Sequence, residues 1–231
     1  MAGTRRSSLA GTSGHDNSRS MRIAILGAGN VGGNLGQRFS ALGHRVAFGV
    51  RDPGKLTELL DRCQGQAEAL SFADAVEHAE VVLLALPWAH TLEIVTQLPK
   101  LAGKVLIDCT NPVRWQQGTP RPMPLEGGLS AAELIQAQLP QSHVVKAFNT
   151  FGANILLNAQ FGDRVADAFI CSDHRAAFDT TADLARAMGF DVVHAGGLAN
   201  ARLLEHMAIL WIYFATHHPA HRDIAIKLMT R

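Results

Sequence analysis

Residues 22–44 read RIAILGAGNVGGNLGQRFSALGH, and their pattern decides the fold. Arg22 to Leu26 form a short aliphatic run of strand character, whereas Val31, Leu35, Phe39 and Leu42 recur at helical spacing. Gly43 stands where a helix commonly ends on a left-handed glycine. Between the two elements, Gly27, Ala28, Gly29, Asn30, Val31 and Gly32 fit the spacing G-x-G-x-x-G. Each glycine has a mechanical reason in a strand–turn–helix unit. The first permits the tight turn, the second leaves no Cβ in the path of a pyrophosphate, and the third lets the helix sit close to the strand. The helix start offers free N–H groups and a positive dipole end to the phosphates. Gly27, Gly29, Asn30, Val31 and Gly32 are therefore expected to cradle a dinucleotide.

Outward from this unit, the same alternation of elements continues. Strands are expected at Arg45–Val50, Ala67–Leu70, Val81–Leu86, Val105–Asp108, His143–Lys146, Ala168–Cys171 and Val192–His194. Helices are expected at Val31–Leu42, Lys55–Arg62, Phe72–His78, His90–Leu98, Ser130–Gln138, His174–Met188 and from about Ala199 onward. Runs such as VVLLALP and VLIDC are apolar without alternation, as strands covered on both faces must be. The fold expected is α/β, a doubly wound, mostly parallel, Rossmann-like sheet with a C-terminal helical segment. One sheet is expected to run through residues 21–195, with residues 196–231 as C-terminal helices serving assembly and an acceptor site. Residues 1–20, small and polar throughout, read as a disordered tail.

Composition excludes several classes of function. The 231 residues are 47% apolar and 18% charged, with 21 basic against 20 acidic side chains, so no global field favours a nucleic acid or an anionic membrane. A small-molecule partner is expected. Cys63, Cys109 and Cys171 are odd in number and far apart, which fits neither a disulfide framework nor a thiolate metal site and suits a reducing cytoplasm. The group His217, His218 and His221 lacks a carboxylate partner at metal spacing and reads as a helix end followed by a short helix past Pro219. No metal site is expected.

The choice between NAD and NADP falls at the end of the second strand, in HRVAFGVRDPGK. A carboxylate there holds a ribose 2′-hydroxyl, and a cation holds a 2′-phosphate. Arg51 is the first residue past the strand and is read as facing the cofactor, with Lys55 as a second positive charge. Asp52 precedes Pro53 and is read as a turn or N-cap residue. NADP(H) is the cofactor expected.

Four further stretches carry a resemblance: GVRDPGK (49–55), ALPW (85–88), DCTNPV (108–113) and VKAFNTFGA (145–153), with a fifth, GGLANARLLE (196–205), at the last helix. With the glycine loop they resemble the F420-dependent NADP reductases and the reductase domain of the six-transmembrane metalloreductases. The resemblance implies hydride transfer between NADP(H) and coenzyme F420 or a flavin-like ring, and Thr150 to Ala153 as the platform of the nicotinamide. A different acceptor (a quinone, a flavin or a chelated metal) or a regulatory module without turnover remain alternatives. By position, Leu86 and Pro87 flank the cofactor ribose, and Asn111 lies near the nicotinamide ribose or in an Asn-Pro turn. Trp88 reads chiefly as half-buried packing, Cys109 as a small apolar filler, and His206, beside Glu205, as a packing histidine. Direct hydride transfer needs no catalytic side chain. From Leu198 the last helix carries apolar residues on most sides, so a homodimer is expected to cover it.

Overall fold

Strands whose side chains are apolar on both faces need cover on both, and the helices supply it. The computed structural model describes residues 19–99 and 101–231. Its parallel sheet is built from β1 (Arg22–Leu26), β2 (Arg45–Gly49), β3 (Ala67–Leu70), β4 (Val81–Leu84) and β5 (Val105–Asp108). A hairpin of β6 (Val113–Gln116) and β7 (Thr119–Pro122) follows, then β8 (His143–Lys146), which completes the six-stranded order β3-β2-β1-β4-β5-β8. Register is set at the centre, where Ile23 lies between Val46 and Val81. The helices are α1 (Asn30–Ala41), α2 (Thr57–Arg62), α3 (Phe72–Glu77), α4 (Trp88–Gln97), α5 (Ala131–Gln138), α6 (Arg175–Ala187) and α7 (Ala201–His217).

Two cores result, one on each side of the sheet. Ile23, Ile25 and Phe48 pack with Leu35 and Phe39 of α1, Leu59 of α2 and Phe178 of α6. Ala24, Leu26 and Leu84 face the other way onto Val76 of α3, Val95 of α4, Ile135 of α5 and Leu204 of α7. This is the expected doubly wound arrangement, with its switch point between β1 and β4, where a crevice opens beyond the strand ends.

The structure departs from the sequence reading in three places. The sheet does not run through to residue 195: β11 (Asp167–Ile170) and β12 (Asp191–His194) form a separate parallel pair, joined to β8 through the single antiparallel bridge Lys146–Cys171. The cause is the connection after β8, which holds the short pair β9 (Gln160–Phe161) and β10 (Arg164–Val165) instead of a crossover helix, so the chain returns antiparallel. The β6–β7 hairpin was hidden because Pro120 and Pro122 argue against a strand; its turn is made by Gln117 and Gly118, both at positive φ. No short helix follows Pro219. Residues 224–231 run without regular structure, and the Lys227 ammonium ties them to Asp167 and Asp191 at 2.7 and 2.8 Å. The tail expected at 1–20 lies outside the described residues except for its last two. Arg19 pairs with Glu80 at 2.8 Å, and the Ser20 hydroxyl donates to the Gly43 carbonyl.

Candidate functional site

A cleft of about 880 Å³ lies at the switch point. Gly27, Ala28, Gly29, Asn30 and Val31 form one wall; Arg51, Asp52 and Lys55 close one end, and Cys109, Thr110 and Asn111 the other. Leu86, Pro87 and Trp88 line the flank between them.

The three glycines of the loop do what their spacing demands. Gly27 takes φ +100, and a Cβ there would stand 2.6 Å from the Ala85 carbonyl oxygen. A Cβ on Gly32 would stand 2.0 Å from the Gly27 carbonyl oxygen, so only glycine brings α1 this close to the turn. Gly29 differs: a Cβ there meets no atom within 4 Å, because it would project into open space. No side chain caps the N-terminus of α1, and its first turn has no acidic residue, leaving the amide groups free for an anion. A diphosphate fits this cradle both in shape and in charge.

At the far end of the cleft the charges are sorted as the sequence suggested, with one change. Asp52 occupies the N-cap position of the single 3-10 turn at Pro53–Lys55 but makes no side-chain cap; its carboxylate instead pairs with the Lys55 ammonium at 2.9 Å. With Lys55 80% and Asp52 54% exposed, that pair contributes little stability, and a stronger anion can redirect the lysine. Arg51 is exposed and has no hydrogen-bond partner among the described residues.

The opposite end is held from behind by a buried charge cluster. The Lys146 ammonium donates to Asp108 Oδ2 at 2.8 Å, to the Thr110 carbonyl at 2.6 Å and to Glu205 Oε1 at 2.9 Å. Asp108 also accepts from the Thr110 N–H, and Glu205 Oε1 from the Ala131 N–H at the start of α5. Burial alone would lower the Lys146 pKa, but the facing Asp108 and Glu205 carboxylates hold it above the usual lysine value. The cluster fastens the Thr110–Asn111 loop to β5, β8 and α7 together.

Asn111 is fixed in turn by a reciprocal pair, its amide donating to the Asn149 carbonyl and accepting from Asn149 Nδ2. Asn149 is turned toward it by Phe148, which takes φ +58 in the left-handed region while its ring is buried. Thr110 Oγ1 and Asn149 Oδ1 are buried at this end without a hydrogen-bond partner. Thr150 and Ala153 do not border the cleft; the Ala153 carbonyl is held by Asn34 Nδ2 of α1 at 2.8 Å, and Gly152 packs beneath Trp211.

Cys109 borders the cleft but is fully buried, and burial pushes its thiol far above the ordinary range, so it is a neutral filler, as expected. Trp88 is half-buried at the start of α4, packed on the core and bordering the cleft at once. Cys63, Cys109 and Cys171 are all free and buried. Among the described residues no group of three His, Cys, Asp or Glu is disposed around a metal, and no helix is long and apolar enough to cross a membrane.

Residues 22–112, from β1 to the Asn111–Pro112 step, match the family described as NADP oxidoreductase, coenzyme F420-dependent. The F420-dependent NADP reductase of Methanothermobacter marburgensis is 34% identical over 206 residues, which cover 83% of this chain and 91% of that protein. The chain belongs to the F420-dependent NADP reductase family. It is an NADP-dependent oxidoreductase of that family. A solved structure from Arthrobacter sp. FB24, provisionally described as an F420-dependent NADP reductase, superposes with a TM-score of 0.83 at 30% identity, covering 91% of this chain and 100% of that one. The metalloreductase STEAP3 of Rattus norvegicus is 32% identical over 184 residues, but this family member spans only 36% of its length.

Sequence reasoning missed the Lys146–Asp108–Glu205 cluster and the partnerless Thr110 hydroxyl. A lysine inside the apolar strand HVVKAF and a glutamate inside the apolar helix LLEHMAIL were the available signals, because each needs an opposite charge when buried.

Proposed function

We propose that the chain transfers a hydride between NADP(H) and a flavin-like ring, coenzyme F420 or a related deazaflavin or flavin. The observation that carries this reading is the open space over Gly29, with the unpaired Arg51 and the weakly held Lys55 at one end of the same cleft. On this reading Gly27, Gly29, Asn30, Val31 and Gly32 hold the pyrophosphate with the amides of α1, and Arg51 and Lys55 hold the 2′-phosphate. Leu86 and Pro87 pass beside a ribose, Asn111 fixes the nicotinamide end, and the backbone of Thr150 to Ala153 supports that end from behind Asn149. Bound there, the nicotinamide supplies or takes up a hydride at C4. The protein's part is to hold two rings about 3 to 3.5 Å apart and to keep water out, which the apolar Leu86, Pro87, Trp88 and the neutral Cys109 serve. The free, buried thiols suit a cytoplasmic setting.

Steady-state oxidation of NADPH against a panel of deazaflavin, flavin, quinone and chelated-metal acceptors tests the acceptor. Turnover with a quinone or metal chelate and none with the ring compounds would move the reading to those acceptors. Arg51→Ala is expected to weaken NADPH more than NADH, by about 1.5 to 3 kcal/mol for one charge-assisted contact. Equal losses for both nucleotides, measured by fluorescence titration, would remove Arg51 from the 2′-phosphate.

The homodimer is part of the same proposal. Leu204, Ala208, Trp211 and Ala215 face the core, and the Trp211 indole also donates to the Ile224 carbonyl of the returning chain. The other side of α7 exposes Leu203, Leu210, Tyr213 and Phe214, a stripe at helical spacing, with Trp115 also exposed on the β6–β7 hairpin that packs on α7. Two such stripes meeting across a two-fold axis would cover each other and border the acceptor side. Light scattering is expected to give twice 24.8 kDa, and Leu210→Glu to give the single mass. A wild-type monomer at micromolar concentration would rule the dimer out.

A further inference from the structure

Glu205 borders a second, smaller cavity of about 190 Å³, separate in its lining from the cleft. Pro112, Pro122, Met123 and Leu125 wall it, and Arg202 and His206, neighbours on α7, stand at its rim. Glu205 Oε1 is taken by Lys146 and the Ala131 N–H, while Oε2 has no hydrogen-bond partner among the described residues, although the residue is only 6% exposed. One cluster therefore touches both cavities: Lys146 bonds the Thr110 carbonyl behind the cleft and Glu205 borders the second cavity.

The charge count of this cluster is unbalanced. Lys146, Asp108 and Glu205 fully ionised would leave a net negative charge in a site that is almost wholly buried, which is costly unless a positive charge stands close by. We infer that Glu205 is a proton-exchanging site linked to the charge of the nicotinamide: its carboxyl loses a proton through the second cavity when the ring beyond Thr110 is cationic, and regains one when the ring is neutral. The inference rests on the nucleotide reading above, which puts the nicotinamide at the Cys109–Asn111 end. In that step the Glu205 O–H bond breaks, its electron pair stays on the carboxylate and pairs with Lys146, and the proton passes to the cavity.

The surroundings agree. Burial pushes the Glu205 carboxyl above the ordinary glutamate value; Lys146 pulls against the rise and Asp108 adds to it. Of the other groups that face it, Arg202 is paired with Glu133 at 3.0 Å, His206 Nδ1 is bonded to the Arg202 carbonyl, and the Cys171 thiol, pushed up to about 12, stays neutral. Arg202 and the Cys171 thiol already hold their protons and cannot accept another, and His206 is exposed at the rim of the cavity, so a proton leaving Glu205 is passed outward and not stored on a buried neighbour.

Calorimetric titration of the full chain with NADP+ and with NADPH, in buffers of different ionisation enthalpy, counts the protons directly. NADP+ is expected to release a fraction of a proton, up to about one, that NADPH does not, so its affinity gains on that of NADPH as pH rises from about 5 to 8. Glu205→Gln keeps an oxygen for Lys146 and Ala131 and should erase the difference, whereas His206→Gln should keep it. Equal proton counts for the two nucleotides, or a difference that survives in Glu205→Gln, would overturn the inference. Should Glu205→Gln not fold, a wild-type affinity ratio that is flat with pH overturns it alone. If neither nucleotide binds, it is the nucleotide reading that fails instead.

Discussion

Lys146→Met is expected to cost about 3 to 5 kcal/mol of stability at neutral pH, the usual effect of removing one member of a buried ion cluster. Methionine fills most of the lysine's volume, so the loss would come from charge and hydrogen bonding rather than from a cavity. Lys146 is fully buried and serves three acceptors on β5, the Thr110 loop and α7; the variant leaves Asp108 Oδ2 and the Thr110 carbonyl without a partner and Glu205 Oε1 with the Ala131 N–H alone. The loss has a predictable pH dependence. Without Lys146 only the Ala131 N–H opposes the effect of burial on Glu205, so its folded-state pKa rises further above the unfolded one. A carboxyl shifted in that direction contributes most at low pH and loses that contribution as pH rises through the folded value. The deficit should therefore be smaller near pH 4 than near pH 7, and adding Glu205→Gln should recover part of it. Urea unfolding at the two pH values measures this; a neutral-pH loss below about 1 kcal/mol would show that the cluster is not needed to hold the fold together.

Gly29→Val is expected to abolish nucleotide binding, by 100-fold or more, which is about 3 kcal/mol, while the melting temperature barely moves. The two halves of this expectation have separate grounds. Gly29 has φ −74 and ψ −164, a backbone that valine adopts readily, and a Cβ there would enter open space with no protein atom within 4 Å. That same space is where the diphosphate would approach α1, so the branched side chain excludes the ligand and nothing else. Gly32→Ala is the contrasting case, because its Cβ meets the Gly27 carbonyl at 2.0 Å and must push α1 away from the sheet. Circular dichroism with NADPH titration separates them: a folded Gly29→Val variant that retains NADPH affinity would overturn the assignment of the loop.

The contrast between these two sites shows what the sequence made legible. Local patterns transferred well: β1, β3, β5 and β8 begin and end as their apolar runs suggested, and the glycine loop, Arg51, Lys55, Leu86, Pro87 and Asn111 converge on one cleft. These readings needed only neighbours in the chain. The buried cluster needed three residues separated by up to 97 positions, from Asp108 to Glu205, and each looked like an ordinary charged residue when read alone. The second sheet was misjudged for a related reason, since the antiparallel return of β11 depends on the length and shape of the connection after β8 and not on the pattern of β11 itself. The place of Asp52 was read from its position before Pro53, and what it bonds was set by a lysine three residues on.

Phe148 has a consequence for how this chain can change over generations. Its backbone asks for glycine and its core asks for a large ring, and no standard side chain meets both demands. Glycine would relieve about 1 kcal/mol of backbone strain, while emptying the ring's place in the core would cost about 3 to 5 kcal/mol. The position is thus a local optimum from which every single step leads downhill in stability. An improved variant would need a paired change, a glycine at 148 together with a bulkier neighbour that fills the vacated volume, and neither half of that pair is favourable by itself.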